Sequence, residues 1–173
     1  NIALEKGLSG EGLSTGEALL LVNLPDENIY ELLSVTERVR RSRKGVEVNL
    51  CSIVNAKSGL CKEDCSFCAQ SVKYSTGVKE YPFAEPDEIV RAAACAAENG
   101  AREFSIVTSG SRVEKEKDVE KLIEALKKMK DGVSVERCAS LGMLSRVTLG
   151  ELKKNGLQSY HHNLETSASF FPR

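Results

Sequence analysis

Asn99-Gly100-Ala101-Arg102-Glu103-Phe104-Ser105-Ile106-Val107-Thr108-Ser109-Gly110-Ser111 reads as a helix stop, a short strand over Phe104–Thr108 and a turn. The same handover recurs in both directions along the chain. An Ala-rich helix starts at Pro86-Asp87-Glu88 and stops near Gly100. Val119, Leu122, Ile123, Leu126 and Met129 form an apolar stripe at helical spacing, closed by Gly132, and Val133–Cys138 has strand character. A helix around Val147–Lys154 ends at Asn155-Gly156, and Leu157–His161 starts a fourth strand. Upstream, Val46, Val48, Leu50, Ser52 and Val54 alternate with Glu47, Asn49, Cys51 and Ile53, so a first strand is expected there. The more apolar set should meet helices, which turns Cys51 to the other side.

Strands alternating with helices imply a parallel sheet with right-handed crossovers. The expected fold class is α/β, a partial (β/α) barrel of about four βα units. A complete barrel needs about 250 residues, and this chain has 173. The chain is therefore expected to be a fragment, with residues 46–173 as the first half of a barrel behind a helical extension over residues 1–45. In that extension, Ser14 and Glu17 have capping-box spacing ahead of the apolar run Ala18–Val22. Pro25 is expected to open a longer helix bearing Ile29, Leu32, Leu33 and Val39. Arg38, Arg40, Arg41, Arg43 and Lys44 crowd its last turns, where cations suit the helix dipole, and Gly45 stops it. Half a barrel leaves an exposed strand edge, so the isolated chain is expected to be unstable and inactive.

Composition narrows the function. The chain is 41% hydrophobic and 28% charged, with a formal charge of −1. That balance argues against a nucleic-acid-coating surface, and no apolar run approaches a membrane span. Six cysteines at irregular spacing do not suggest a disulfide framework. They fit a reducing cytoplasm in which thiols ligate metal.

Three of the cysteines fall within eight residues, in Cys61-Lys62-Glu63-Asp64-Cys65-Ser66-Phe67-Cys68. The spacing is C-x3-C-x2-C, with an aromatic before the last Cys, on a loop leaving the first strand. Three thiolates can hold a [4Fe–4S] cluster that normally takes four, leaving one iron open for chemistry. A zinc knot that borrows Cys51 is the alternative, although structural zinc usually uses paired C-x2-C ligands.

The spacing resembles the radical S-adenosylmethionine (SAM) superfamily. Asn55-Ala56-Lys57-Ser58-Gly59-Leu60, the cysteine motif, Ala69-Gln70-Ser71, Glu136-Arg137-Cys138-Ala139-Ser140-Leu141-Gly142 and Tyr160-His161-His162-Asn163-Leu164-Glu165-Thr166-Ser167 resemble the biotin synthase family more specifically. Hydrogenase-maturation and methylornithine-forming relatives share the cysteine motif but usually lack the flanking patterns.

The resemblance implies sulfur insertion into dethiobiotin. SAM bound at the open iron is cleaved to a 5′-deoxyadenosyl radical, and an auxiliary cluster donates the sulfur. An unactivated C–H bond offers no acidic proton, so a cofactor must carry this chemistry. Cys61, Cys65 and Cys68 are the implied [4Fe–4S] ligands. Phe67 stands where the family places an aromatic near the adenine of SAM. The Thr108-Ser109-Gly110 backbone is where the methionine amine is received. Asn163 and Glu165 match ribose contacts, with Glu in place of the usual Asp, and Asn163 also lies near the substrate. His161 replaces an Asn near the ureido ring, and His162 is read as structural.

Many family members hold an auxiliary [2Fe–2S] cluster with cysteines on several strands. Cys138 is present, but the second-strand position is Ser105, a poor iron ligand. Cys51 stands where those members have Ser. Cys51 and Cys138 are therefore expected to help bind a rearranged auxiliary cluster, [2Fe–2S] or a four-iron variant. Cys95 is expected to pack within its helix. The resemblance further implies a flavodoxin or ferredoxin reductant and a homodimer.

Overall fold

The computed structural model describes residues 2–113, 115–164 and 166–170. They form two compact units, residues 1–48 and 49–173.

The first unit is helical: α1 (Ile2–Ser9), α2 (Thr15–Val22) and α3 (Ile29–Lys44), with a 3₁₀ turn at Asp26–Asn28. Ser14 caps α2. Its hydroxyl accepts from the Glu17 amide, and the Glu17 carboxylate accepts from the Ser14 amide at 2.8 Å. This reciprocal pair satisfies backbone donors that a helix start otherwise leaves open. Pro25 precedes the 3₁₀ turn, so α3 itself begins only at Ile29. Within the basic end of α3, Arg40 and Arg41 both pair with Glu37. Gly45 stops the helix at φ 78°.

The second unit runs β1 (Leu50–Lys57), α4 (Pro86–Glu98), β2 (Ala101–Thr108), α5 (Glu116–Gly132), β3 (Glu136–Ser140), α6 (Arg146–Lys154) and β4 (Ser159–Tyr160). All neighbouring strands are parallel, in the order β1-β2-β3-β4. This is an α/β fold with an open sheet of partial-barrel type. Pro86 sits in the first turn of α4, and Glu85 and Glu88 form its capping box. Ile89, Ala93 and Ala96 on α4, and Leu122, Ala125, Leu126 and Met129 on α5, are spaced to face one side and are buried. They join a core with Phe104 and Ile106 of β2, Ala139 of β3, Leu141 just beyond it and Leu152 of α6. Each large apolar side chain buried there contributes about 1.5–3 kcal/mol.

Alternation fixes what the other face of the sheet presents. With Phe104 and Ile106 turned to the core, Glu103, Ser105 and Val107 lie opposite. The register adds Cys51 and Ile53 from β1, Glu136 and Cys138 from β3, and Ser159 from β4 to that mostly polar face.

Several expectations need correction. The first strand starts at Leu50 rather than Val46, and Val46 and Val48 are exposed instead of meeting helices. Leu50 is also exposed, and the ladder is irregular between it and Cys51. The third strand begins at Glu136, and the fourth is reduced to Ser159–Tyr160. Cys95 is exposed, because the register that buries Ile89, Ala93 and Ala96 turns it outward.

The capping carboxylate of Glu17 carries a pH signature. Hydrogen bonds from the Ser14 amide, Lys6 and the Ser14 hydroxyl hold its pKa down to about 2, against an ordinary 4.5. A depressed carboxyl pKa means that the cap contributes fully above about pH 4.5 and is lost as pH falls toward about 2. In an NMR titration the Glu17 carboxyl is expected to move with a midpoint near pH 2, and Ser14→Ala should raise that midpoint. An unshifted midpoint in the parent chain would refute the cap.

Candidate functional site

The carboxyl ends of the four strands are laced together in sequence order. At the β1 end, the Ser109 amide donates to the Lys57 carbonyl at 2.9 Å. The buried Ser109 hydroxyl donates to the Gly59 carbonyl at 2.7 Å. At the β2 end, the Val113 amide donates to the Leu141 carbonyl and the Met143 amide to the Ser111 carbonyl. The second contact brings backbone so close that a Cβ on Gly142, itself at φ 77°, would overlap Ser111. At the β3 end, the Tyr160 hydroxyl donates to the Gly142 carbonyl, and the His161 amide extends the ladder to Ala139 at 2.8 Å.

The three-cysteine loop leaves this rim from β1. Gly59 (φ 74°) and Leu60 (φ 55°) turn the chain sharply out of the strand. A side chain at Gly59 would collide with Glu80. Leu60 bears the cost of a left-handed conformation, about 1–2 kcal/mol for a residue with a Cβ. Cys61 then pairs with the far end of the loop. Its amide donates to the Gln70 carbonyl at 3.0 Å, and its carbonyl accepts from Val72 at 2.8 Å. Inside the loop, the Cys68 amide donates to the Cys65 carbonyl at 2.9 Å. The buried Ser71 hydroxyl donates to the Glu63 carbonyl at 2.6 Å. The Tyr74 hydroxyl donates to Asp64, and that carboxylate pushes the phenol pKa up.

Cys61 is buried, while Cys65 and Cys68 are half-buried. Among the described residues, no three His, Cys, Asp or Glu side chains gather closely enough to hold a single metal ion. A cubane makes a different demand, because each thiolate binds a different iron. A loop closed by its own backbone, presenting soft thiols as donors, fits such a group.

The remaining candidates are placed as follows. Phe67 is exposed on the loop. Ser109 and Gly110 follow β2 at the rim, and a Cβ at Gly110 (φ 103°) would lie beside the Lys57 ammonium. Thr108 continues the Phe104–Ile106 parity, so its side chain falls on the core side and only its backbone is left for the rim. His161, His162 and Asn163 lie in an exposed segment after β4, so the expected strand stops short of His161. Glu165 lies outside the described residues.

On the polar face, buried Cys138 pairs in register with Ser105 and Ser159. Burial pushes its thiol pKa up, reinforced by the Glu103 and Glu136 carboxylates and, more weakly, by Cys51, while Ser159 opposes the shift. Cys51 is exposed on the same face. The hydrogen bonds from Ser71 and Ser109 were not foreseen, since each partner lies 8 to 50 residues away and no local pattern announces it.

Fold and loop define a class: a parallel α/β sheet whose first strand hands over, at its carboxyl end, to a three-cysteine loop. The Radical SAM superfamily model matches residues 57–172, and the chain belongs to that superfamily. It is 42% identical over 166 residues to a biotin synthase of Trichlorobacter lovleyi, covering 96% of this chain and 50% of that one. It is 43% identical over 171 residues to a biotin synthase of Nitratidesulfovibrio vulgaris, covering 94% and 47%. The chain thus spans about half the length of the curated relatives it matches. Streptococcus suis SuiB bound to S-adenosylmethionine aligns at a TM-score of 0.41 and 19% identity, over 80% of this chain and 31% of that one. No helix among the described residues is long and apolar enough to cross a membrane.

Thr108 supplies a direct test of the packing beneath the rim. Its hydroxyl oxygen is the one buried polar side-chain atom without a hydrogen-bond partner among the described residues. An unpaired buried hydroxyl costs roughly 1–3 kcal/mol, and an isosteric apolar group removes that cost. Thr108→Val is therefore expected to stabilise the fold by about 1 kcal/mol in denaturant unfolding. A destabilised variant would show that the hydroxyl is satisfied.

Proposed function

We propose that the chain is part of a biotin synthase, converting dethiobiotin to biotin by sulfur insertion, with residues 1–45 as a helical lead-in and residues 46–173 as the first half of the barrel. The observation that carries this reading is the three-cysteine loop, closed on itself at the carboxyl end of β1, within a sequence about 40% identical to biotin synthases along nearly its whole length. Cys61, Cys65 and Cys68 would hold a [4Fe–4S] cluster, which when bound supplies the electron that cleaves SAM reductively.

The chain's own residues then bind and orient. The rim backbone at Ser109-Gly110 would offer polar groups for the methionine end of SAM, and the buried Ser109 hydroxyl fixes that backbone to Gly59. Phe67 offers an aromatic face to the adenine. Asn163 and Glu165 have the donor and acceptor capacity that ribose hydroxyls require, and Asn163 with His161 offers polar contacts to the ureido ring of dethiobiotin. Cys51 and Cys138 share the polar face and would help hold the auxiliary sulfur-donating cluster, [2Fe–2S] or a four-iron variant, with Ser105 beside Cys138 where a thiol ligand is missing. The same reading carries a flavodoxin- or ferredoxin-type reductant, a cytoplasmic setting and a homodimer.

Two measurements separate the superfamily chemistry from the particular substrate. The full-length protein that contains this chain, reconstituted with iron and sulfide without oxygen, should release 5′-deoxyadenosine from SAM on reduction, and biotin when dethiobiotin is added. Deoxyadenosine without biotin would defeat the substrate assignment, and neither product with iron in place would defeat both.

The auxiliary site is tested by Cys51→Ser in the full-length protein. Iron content should fall below the parent while the iron held by the Cys61 loop is retained. Unchanged iron and sulfide would overturn the role of Cys51.

A further inference from the structure

Gln70 stands where both ends of the three-cysteine loop come together. Its side-chain oxygen accepts two hydrogen bonds, from the Gly59 amide at 2.5 Å and from the Ser58 hydroxyl at 3.1 Å. Its main-chain carbonyl accepts from the Cys61 amide. Both donors to the side chain lie on the short segment that takes β1 into the loop, and Ser58 is buried. The Gly59 amide can only donate, so the acceptor must be the Gln70 amide oxygen, whichever way the terminal group is drawn. The Gly59 carbonyl is held in turn by Ser109 at the end of β2. One side chain therefore ties the loop's return to its exit, while Ser109 ties that exit to the neighbouring strand.

The need for such a tie follows from the turn. Gly59 and Leu60 both have positive φ, so no regular ladder pairs the backbone there. A Gly59 amide left unpaired would cost roughly 1–3 kcal/mol and free the turn to relax. Cys61 is two residues further on, and its direction is set by that turn.

We propose that Gln70 is a positioning residue for the three-cysteine loop. By accepting from Gly59 and Ser58 it fixes the strand exit, and so the place at which the Cys61 thiol meets those of Cys65 and Cys68. The inference rests on the reading of these cysteines as iron ligands. The hydrogen bonds themselves are independent of that reading.

Q70M and Q70E, made in the full-length protein that contains this chain, divide packing from hydrogen bonding. Methionine keeps the length and removes the acceptor, whereas glutamate keeps the acceptor. In metal-free protein, Gly59 amide exchange should be about tenfold faster in Q70M and unchanged in Q70E. In anaerobic reconstitution, the loop of Q70M should bind iron about tenfold more weakly than that of the parent, and Q70E should restore binding. If Q70M matches the parent in both measurements, or Q70E fails to restore them, the role of Gln70 is overturned. If the parent itself takes up no iron, the cysteine reading fails, and the exchange measurement still decides whether Gln70 holds the exit. Should Q70M not fold, Q70E decides alone: parent-like iron binding supports the role, and lost binding overturns it.

Discussion

A chain leaving a parallel strand must find new partners for backbone groups that the ladder no longer pairs. At the carboxyl edge of this sheet, those partners come from the adjacent strand's exit. Ser109 binds both Lys57 and Gly59, Val113 and Met143 cross between the next two exits, and Tyr160 closes on Gly142. The edge is thus a continuous hydrogen-bonded rim rather than four separate loops. Everything attributed to the site depends on it, because the cysteine loop is anchored through Gly59 to a neighbour that is itself anchored.

The two faces of the sheet divide the labour. On one, Phe104, Ile106 and Ala139 are sealed under α4, α5 and α6, and this face carries the hydrophobic stabilisation. The other presents Cys51, Glu103, Ser105, Glu136 and Ser159 around buried Cys138. Two carboxylates and a thiol would be a poor core, and the raised pKa of Cys138 records the tension of burial beside negative charge. It is on this face that the proposed auxiliary site draws, opposite the one sealed by helices.

What the sequence showed most clearly was local. The Ser14–Glu17 capping box, the Pro86 helix start and the glycine stops each encode a structure within four residues, and the repeated helix-to-strand handover follows from them. The cysteine spacing was equally plain. Val46 and Val48 misled because alternation is only a disposition, and a strand also needs a neighbour: pairing with β2 begins at Leu50. In the run Ala92–Ala97 every position is small and apolar, so no pattern marks the outward face, and only packing turns Cys95 away from the core. α1 carries a weak signal, and Leu4 is its single buried residue. The rim contacts join residues up to 50 positions apart and have no local signature at all.

The same separation of local and distant partners bears on how the loop holds its shape. Many small metal-binding segments are unfolded until metal arrives, so that binding energy is spent as folding energy. Here the Cys61 amide and carbonyl, the Cys68 amide, the Glu63 carbonyl and the Gly59 amide all have protein partners of their own. Ordering one residue's backbone costs about 1–2 kcal/mol, and that cost is met by these bonds and by the anchoring of the loop to β2. A loop ordered in this way presents its thiols at low further entropic cost. On the proposed reading of the three cysteines, less of a cluster's binding energy would then be spent on ordering the loop.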